Sequence, residues 1–282
     1  MTTSRPHLGY VDVLGARVAY IDSTPAAPSA LPPIVLLHGS GGSAASHFAF
    51  LMPMLASQRR VVGIDFAISP DRGKVSLSEL VSQVDAVVRT ALPHTPATIC
   101  GYSLGAVVAA AFAAEHANAV TELALICGWA KTDHQQRVRN DIWKALRNEG
   151  STVLAEFSAY CAYGGPYLAA RTPTEIANLI AAVSVTDSMD AHMELSRSID
   201  IEHLLGDISA PALVIGAAHD QMVPVRHSKL LWGAIADARY AEVSAGHAVM
   251  VERPAQIFQL ISTFSNDPGR VPAGGLLDMP MP

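Results

Sequence analysis

Residues 97–116 read ATICGYSLGAVVAAAFAAEH, and this stretch decides the fold prediction. Residues 97–100 form a short apolar run typical of a buried strand, and residues 105–116 are rich in Ala and Val, as in a buried helix. Between them lies the GxSxG pattern Gly101-Tyr102-Ser103-Leu104-Gly105. A strand-to-helix turn this tight leaves no room for side chains beside the serine, which explains the two glycines. We expect such a turn to lift the Ser103 hydroxyl above the sheet as a nucleophile.

Apolar runs of the same kind recur along the chain and alternate with helical patterns. The strand-like runs are residues 34–37, 60–64, 123–127, 212–215 and 240–243, and the helical patterns are residues 45–56, 77–91, 225–236 and 254–264. Strands that are apolar on both faces and alternate with helices predict an α/β fold with a doubly wound, mostly parallel sheet. Two shorter runs, 8–13 and 17–22, indicate an opening hairpin.

The interval 131–206 breaks this alternation. It contains amphipathic helical stretches and no convincing strand, so we expect a helical cap inserted into a core formed by residues 1–130 and 207–265. Residues 266–282 are rich in Pro and Gly with little periodicity, which predicts a disordered tail.

Composition limits the partners of the chain. The formal net charge is −6 and Lys and Arg do not cluster, which argues against nucleic acid or an anionic membrane as a partner. The longest apolar stretches are too short to cross a bilayer. We therefore expect a small-molecule partner, and the sequence leaves open whether the chain forms a homo-oligomer.

Cysteine usage and the N-terminus bear on compartment and metal binding. The three cysteines, Cys100, Cys127 and Cys161, lack CxxC spacing, which argues against a disulfide framework or a thiolate zinc site. Residues 1–7 do not begin a secretory signal pattern, so we expect a cytoplasmic protein. We expect neither a metal nor another cofactor.

A serine nucleophile needs a base to take its proton and an acid to orient that base. His247 lies in a loop directly after the strand run 240–243, and Asp220 closes the loop after the run 212–215. Ser103, Asp220 and His247 therefore all follow predicted strands, at the sheet edge where sites of parallel sheets form. This Ser, acid, His order differs from the orders in chymotrypsin and subtilisin.

The segment His38-Gly39-Ser40-Gly41-Gly42 follows the strand run 34–37. Its glycines allow a backbone N–H to point into a site. The N–H of Leu104, together with one from Ser40 or Gly41, would form an oxyanion hole. The alternatives are a flexible Gly/Ser loop or a phosphate-binding loop, but for the latter the Gly-Lys-Ser/Thr ending of a P-loop is missing.

With these segments in place, the sequence resembles the α/β-hydrolase superfamily, in its branch of small esterases, lactonases, carbon-carbon bond hydrolases and cofactor-free haloperoxidases. The segments that carry the resemblance are IVLLHGSGG, GYSLGAVVAAAFA, LVIGAAHDQMVP and AGHAVMVERP. The resemblance implies a serine triad and a cap domain that shapes the substrate pocket. The chain departs from it at residues 65–73, where glycines common in relatives are missing. Some members place the acid after an earlier strand, where this chain has Asp133; we prefer Asp220 and expect Asp133 to cap a helix.

The function expected from these residues is hydrolysis of an ester, lactone or thioester of a largely apolar small molecule through an acyl-enzyme. We expect the pocket to be lined by side chains of the cap and of strand-end loops: Trp129, Tyr160, Tyr163, Met189, Met193 and Met222. Three alternatives use the same fold: carbon-carbon cleavage or a cofactor-free oxygenase or perhydrolase reaction, a biosynthetic cyclase or transferase, and a small-molecule receptor.

Overall fold

One eight-stranded sheet runs through the computed structural model, which describes residues 6–25, 28–69 and 73–278. Its strands are β1 (His7–Val13), β2 (Ala16–Ser23), β3 (Ile34–Leu37), β4 (Val61–Asp65), β5 (Ala97–Tyr102), β6 (Val120–Ile126), β7 (Ala212–Ala217) and β8 (Ala238–Val243). The spatial order is β1-β2-β4-β3-β5-β6-β7-β8. β1 and β2 form the expected opening hairpin, β2 pairs antiparallel with β4, and all later pairs are parallel.

Twelve α-helices connect these strands in the described chain. They are α1 (Ala44–His47), α2 (Leu51–Ala56), α3 (Leu77–Ala91), α4 (Leu104–Glu115), α5 (His134–Asn148), α6 (Leu154–Ala162), α7 (Gly165–Ala169), α8 (Pro173–Ala181), α9 (Asp187–Ser196), α10 (Arg226–Ala234), α11 (Val249–Glu252) and α12 (Pro254–Asn266). Local signals start several of them: a Ser76–Glu79 capping box begins α3. Among the described residues, no helix has the length and apolarity needed to cross a membrane.

The sheet is covered on both faces, as the continuous apolar runs predict. In β3, Val35 and Leu37 point into one cluster, which contains side chains of α3, α4 and α10. Ile34 and Leu36 point into a second cluster, built with α2 and α12. The doubly wound α/β architecture predicted from the sequence is therefore confirmed.

Residues 131–206, expected as an inserted cap, contain helices α5–α9, which we call the helical insertion. It lies in the chain between β6 and β7, and Lys131 and Asp200 meet in an isolated β-bridge near its two ends. A small apolar cluster of its own includes Trp143, Leu154 and Met193. The insertion is thus tied down at both ends and partly packed on itself.

Two local expectations need correction. The single helix predicted over residues 45–56 is two short helices, because the chain turns at residues 48–50 between α1 and α2. The disordered tail does not hold for residues 266–278: the N–H of Tyr240 donates to Gly275, and the N–H of Leu277 donates to Tyr240. These bonds satisfy the free edge of β8, and Leu277 is buried. Residues 279–282 lie outside the described residues.

Candidate active site

Ser103 stands between β5 and α4 in a strained backbone conformation, with φ +56° and ψ −121°. Non-glycine residues rarely adopt positive φ, and such strain costs of order 1–3 kcal/mol. The flanking glycines are required by contact with backbone: a Cβ on Gly101 would lie 2.1 Å from the Gly105 carbonyl oxygen, and one on Gly105 would lie 2.0 Å from the Leu37 carbonyl oxygen. The turn therefore packs as the sequence predicts and presents the Ser103 hydroxyl at the carboxyl end of the sheet.

The side chains of Ser103, His247 and Asp220 form a continuous line of hydrogen bonds. The Ser103 hydroxyl lies 2.8 Å from Nε2 of His247. Nδ1 of His247 lies 2.7 Å from Oδ2 of Asp220. Because a carboxylate only accepts, Nδ1 carries the proton and Nε2 is left to accept from the serine. This tautomer is the one that a general base needs.

Asp220 is held by the backbone that follows it. Its other carboxylate oxygen accepts from the N–H groups of Met222 and Val223, both at 2.8 Å. The Asp220 side chain is completely buried, so these bonds replace the water that would otherwise solvate its charge. The carboxylate is therefore fixed in position opposite the imidazole.

The loop that carries His247 is tied to its surroundings on two sides. The Tyr102 hydroxyl donates to the His247 carbonyl at 2.7 Å. The buried carboxylate of Glu252 accepts from the N–H groups of Gly246, at 3.1 Å, and Gly164, at 2.9 Å. Gly164 belongs to the helical insertion, so Glu252 joins that insertion to the histidine loop.

Asp133, the alternative acid, takes no part in this line. Its carboxylate caps α5 by accepting from the Gln136 N–H at 2.9 Å, and it pairs with Arg226 and His227. Burial raises the pKa of Asp133, but these hydrogen bonds outweigh burial and lower it to about 2. The expectation that Asp133 caps a helix is confirmed.

The loop after β3 offers fewer free N–H groups than the sequence suggested. The N–H of Gly39 donates to Nδ1 of His47 at 3.0 Å, and the N–H of Gly41 donates to Nδ1 of His192 at 3.2 Å. Gly41 is therefore not available as an oxyanion donor. Within the described chain, the N–H groups of Ser40 and Leu104 have no acceptor. Of the candidate donors Ser40, Gly41 and Leu104, the geometry leaves Ser40 and Leu104.

Three imidazoles, two buried and that of His47 half-buried, support this loop in their neutral form. Burial lowers the pKa of His47 and His192 to about 4 and that of His38 to about 3. Neutral Nδ1 atoms can accept from the glycine N–H groups, which a protonated ring could not. His38 also accepts from the N–H of Phe66 at 2.9 Å. That bond fixes the start of the segment 65–73, of which residues 70–72 lie outside the described part.

A cavity of about 410 Å³ opens beside Ser103 and His247. Five of the six expected pocket side chains line it: Trp129, Tyr163, Met189, Met193 and Met222. Tyr160 does not, because it lies on the outer face of α6 with 60% of its surface exposed. The same helix turns Ser158, Ala159 and Ala162 toward the cavity instead.

One stretch of the cavity wall is polar, where α5 contributes Gln136, Arg139 and Asn140. Gln136 and Asn140 lie on the buried face of this helix, one turn apart. Arg139 donates to the Asn140 side-chain oxygen. The apolar cavity expected from the sequence therefore has a polar section.

Cys127 adds a fourth group behind the line of hydrogen bonds. Its sulfur and the ligand atoms of Asp220 and His247 all lie within 4.8 Å of one another, as a small metal site would require. Burial, with the charge and hydrogen bond of Asp220, raises the pKa of the Cys127 thiol well above its usual value. The thiol therefore remains protonated beside Asp220, whose Oδ2 lies 2.7 Å from Nδ1 of His247.

A model of the alpha/beta hydrolase fold family matches residues 32–254, most of the chain. The chain belongs to the alpha/beta hydrolase fold family. This hydrolase is 28% identical over 241 residues to "Pyrrolizixenacetamide deacetylase" of Xenorhabdus hominickii, covering 83% of this chain and 90% of that relative. It is also 28% identical over 247 residues to "Putative carbamate hydrolase RutD" of Azorhizobium caulinodans, covering 83% of this chain and 91% of the relative.

The solved structures include the enol-lactonase from Burkholderia xenovorans LB400, with a TM-score of 0.77 and 25% sequence identity. The match covers 92% of this chain and 100% of the enol-lactonase. With a shared fold and relatives that are named hydrolases, the chain is an enzyme of the hydrolase class.

The sequence reading of this hydrolase missed four residues that shape the site: His47, Gln136, Arg139 and His192. Polar residues on the inward face of an amphipathic helix are a usable signal for Gln136 and Arg139. No comparable signal marks His192, because its contact with Gly41 joins positions 151 residues apart.

Proposed function

We propose that the protein hydrolyses an acyl bond, an ester, lactone or thioester of a small molecule, with Ser103 as the nucleophile. The observation that carries the proposal is the continuous line of hydrogen bonds from Ser103 through His247 to Asp220, at 2.8 and 2.7 Å. In the described chain, the N–H groups of Ser40 and Leu104 have no acceptor. Ser40 lines the same cavity as Ser103, and Leu104 is the residue that follows Ser103.

In the first half of the reaction, Nε2 of His247 takes the Ser103 proton while Oγ bonds to the carbonyl carbon. The carbonyl oxygen becomes an oxyanion, and the N–H groups of Ser40 and Leu104 stabilise its charge. Asp220 stabilises the imidazolium that forms. His247 then returns the proton to the leaving oxygen or sulfur, the bond to that atom breaks, and the acyl group remains on Ser103.

In the second half, water replaces the leaving group. Nε2 of His247 takes a proton from the water as its oxygen bonds to the acyl carbon. The bond to Ser103 Oγ then breaks, and Oγ recovers its proton from His247. The products are a carboxylic acid and the alcohol or thiol released earlier, so all atoms balance without a cofactor.

We propose that the helical insertion acts as a cap over this site. Met189 and Met193 of α9 and Trp129 line the cavity together with Ser103. Flexible thioethers and an aromatic ring favour an apolar substrate of adaptable shape. Apart from the polar section on α5, the cavity thus suits a largely apolar acyl compound.

Amide hydrolysis is a second candidate, favoured by the name of the Xenorhabdus relative, a deacetylase acting on an acetamide. The same residues would serve, with His247 protonating a leaving nitrogen. Matched acetate esters and acetamides of one aromatic alcohol and amine separate the two candidates by their relative kcat/KM.

A fluorophosphonate probe tests the proposed nucleophile, because it bonds covalently to an activated serine hydroxyl. We expect labelling of Ser103, found by peptide mass spectrometry, and turnover of acyl p-nitrophenyl esters. Ser103→Ala should abolish both. Ser46→Ala is the control, since Ser46 also lines the cavity but its hydroxyl bonds to Ser43. Labelling at another serine, or ester turnover retained in Ser103→Ala, would overturn the proposal. If Ser103→Ala instead retains turnover of ketone or phenol substrates, the result supports carbon-carbon cleavage or oxygenase chemistry by His247 and Asp220.

We also propose a cytoplasmic location. It is supported by three cysteines that are buried and unpaired in the described chain, as in a reducing compartment. Cell fractionation with an antibody against the protein tests it, and recovery in a secreted fraction contradicts it.

A further inference from the structure

The cavity beside Ser103 has an unusual charge. Its lining, within the described residues, includes one arginine, Arg139, and no lysine, aspartate or glutamate. Arg139 lies on α5, is half-buried, and is one of the side chains that line the cavity. A fixed positive charge therefore faces the place where a substrate would lie.

Within the described residues, no carboxylate forms an ion pair with Arg139. By contrast, three other arginines each pair with a carboxylate: Arg147 with Asp190, at 3.1 Å, and Arg197 and Arg226 with Asp141 and Asp133. Arg139 instead donates from Nη2 to the neutral side-chain oxygen of Asn140, and its buried Nε has no partner. Burial lowers the pKa of the guanidinium, while Cys161 and Asp220 act in the opposite direction. A partly desolvated cation without an ion-pair partner is costly, so its presence calls for a reason.

The amides beside Arg139 also present donors. The side-chain oxygen of Gln136 accepts from the Asp133 N–H at 3.1 Å, and that of Asn140 accepts from Arg139. Both side-chain oxygens therefore already accept a hydrogen bond, and the two NH₂ groups are left to donate. Neither NH₂ group has an acceptor in the described part of the chain, and both side chains line the cavity. Three neighbouring side chains therefore offer N–H donors and one positive charge, with no matching acceptor.

We propose that Arg139, with Gln136 and Asn140, binds a carboxylate of the substrate at a point separate from the carbonyl that Ser103 attacks. The inference rests on the proposed acyl hydrolysis and narrows its substrate to acyl compounds that carry a free carboxylate. A guanidinium with adjacent amide donors matches the two oxygens of a carboxylate. The unpaired charge is then balanced when substrate is bound.

A monoanion fits this site better than a phosphate dianion. One guanidinium supplies a single positive charge, and the rest of the wall includes Trp129, Leu179 and Met193, which offer no further cation. A dianion would remain partly uncompensated in an apolar cavity. The carboxylate is therefore the group that the lining balances.

The test uses matched substrates that differ only in this charge. p-Nitrophenyl half-esters of linear dicarboxylic acids, four to eight carbons long, carry the carboxylate. The corresponding half-esters with a terminal primary amide are neutral and of nearly the same size. For at least one chain length, we expect wild-type kcat/KM to be about 30-fold higher for the carboxylate, from hydrogen bonds to a charged group.

Arg139→Gln should remove this preference by raising KM for the carboxylate substrate about 30-fold, with the amide substrate changed less than threefold. Arg137→Gln is the control, because it removes the same charge from an exposed position of the same helix. Thermal unfolding of both variants shows that they are folded. A wild type that does not prefer the carboxylate at any length, or a preference that survives Arg139→Gln, overturns the proposal.

A binding measurement separates this proposal from the proposed function. For calorimetric titration, the ligand is the half-amide of the same dicarboxylic acid, which keeps the free carboxylate and has an amide in place of the ester. It should bind to Ser103→Ala, and this binding should be lost in the Ser103→Ala, Arg139→Gln double variant. This readout needs no turnover. If wild type neither reacts with the fluorophosphonate nor cleaves any ester, the acyl hydrolysis fails by itself. If it does both but Arg139→Gln binds the carboxylate as before, the carboxylate site fails by itself.

Discussion

Replacing Gly101 by alanine should damage both stability and activity. The added Cβ would lie 2.1 Å from the Gly105 carbonyl oxygen and 2.6 Å from Cα of Ala106, and all of these neighbours are backbone. Restoring an ordinary contact requires β5 and α4 to separate by about 1 Å, since atoms in close-packed interiors cannot overlap. We expect a loss of about 3 kcal/mol in the free energy of unfolding. At an unfolding entropy of about 2.1 cal/mol/K per residue, that corresponds to a fall of about 5 °C in Tm for a chain of this size.

The same movement displaces the Ser103 hydroxyl from His247, so kcat on an acyl ester should fall about 100-fold. Gly233→Ala is the matched control: Gly233 is exposed within α10, and its added Cβ meets nothing within 4 Å. That variant should keep full activity and gain about 0.5–1 kcal/mol, because alanine favours a helix over glycine. Urea unfolding and ester kinetics measure both variants. If Gly101→Ala is as stable as Gly233→Ala, the close approach of β5 and α4 at the serine turn is refuted.

Three further predictions concern the groups around this turn. Asp220→Asn should lower kcat about 10⁴-fold with little loss of stability, because the amide N–H would donate to Nδ1 of His247 and leave the imidazole proton on Nε2, which then cannot accept from Ser103. Steady-state kinetics on an acyl ester measure the change, and a decrease in kcat of less than 10-fold contradicts the prediction. Glu252→Ala should cost about 2–4 kcal/mol in urea unfolding, because the buried N–H groups of Gly164 and Gly246 lose their acceptor, whereas Glu252→Gln should stay near wild type. The pKa of His47 is lowered to about 4, so between pH 6.5 and 4 the unfolded chain binds a proton that the folded chain does not, and the free energy of unfolding falls as pH is lowered through that window. In His47→Asn, the slope of the free energy of unfolding against pH should be shallower by about 1.4 kcal/mol per pH unit near pH 5. Urea unfolding at several pH values measures this slope, and an unchanged slope argues against the prediction.

The parts of the site that sequence could predict are those that each strand end carries within a few residues. Ser103 lies inside a pattern whose two glycines are required by close contact with backbone atoms. Asp220 and His247 follow directly after β7 and β8, so parallel pairing alone brings them to one edge. In such cases the pairing of the strands fixes where a residue at a strand end lies in the folded protein.

Residues that reach the site through packing between distant elements could not be placed in this way. Whether Ser40 or Gly41 keeps a free N–H depends on His192, which lies on α9. Tyr160 and Ala159 are adjacent in sequence, and only the docking of α6 decides which of them meets the cavity. The prediction of a disordered tail is wrong over residues 266–278 for a related reason: the tail bonds to the edge of β8, which no pattern within the tail reveals.

The bond from the Gly41 N–H to His192 has a consequence for the modular use of this scaffold. The strand-end loop is completed by an atom from the helical insertion, so the core and the insertion are not interchangeable parts. A chimaera that carries the insertion of another relative needs an acceptor at the place of the His192 ring. Without one, the Gly41 N–H stays unsatisfied and the loop beside Ser103 loses one of its three imidazole supports. Exchange of specificity between relatives should therefore move α9 together with the loop after β3.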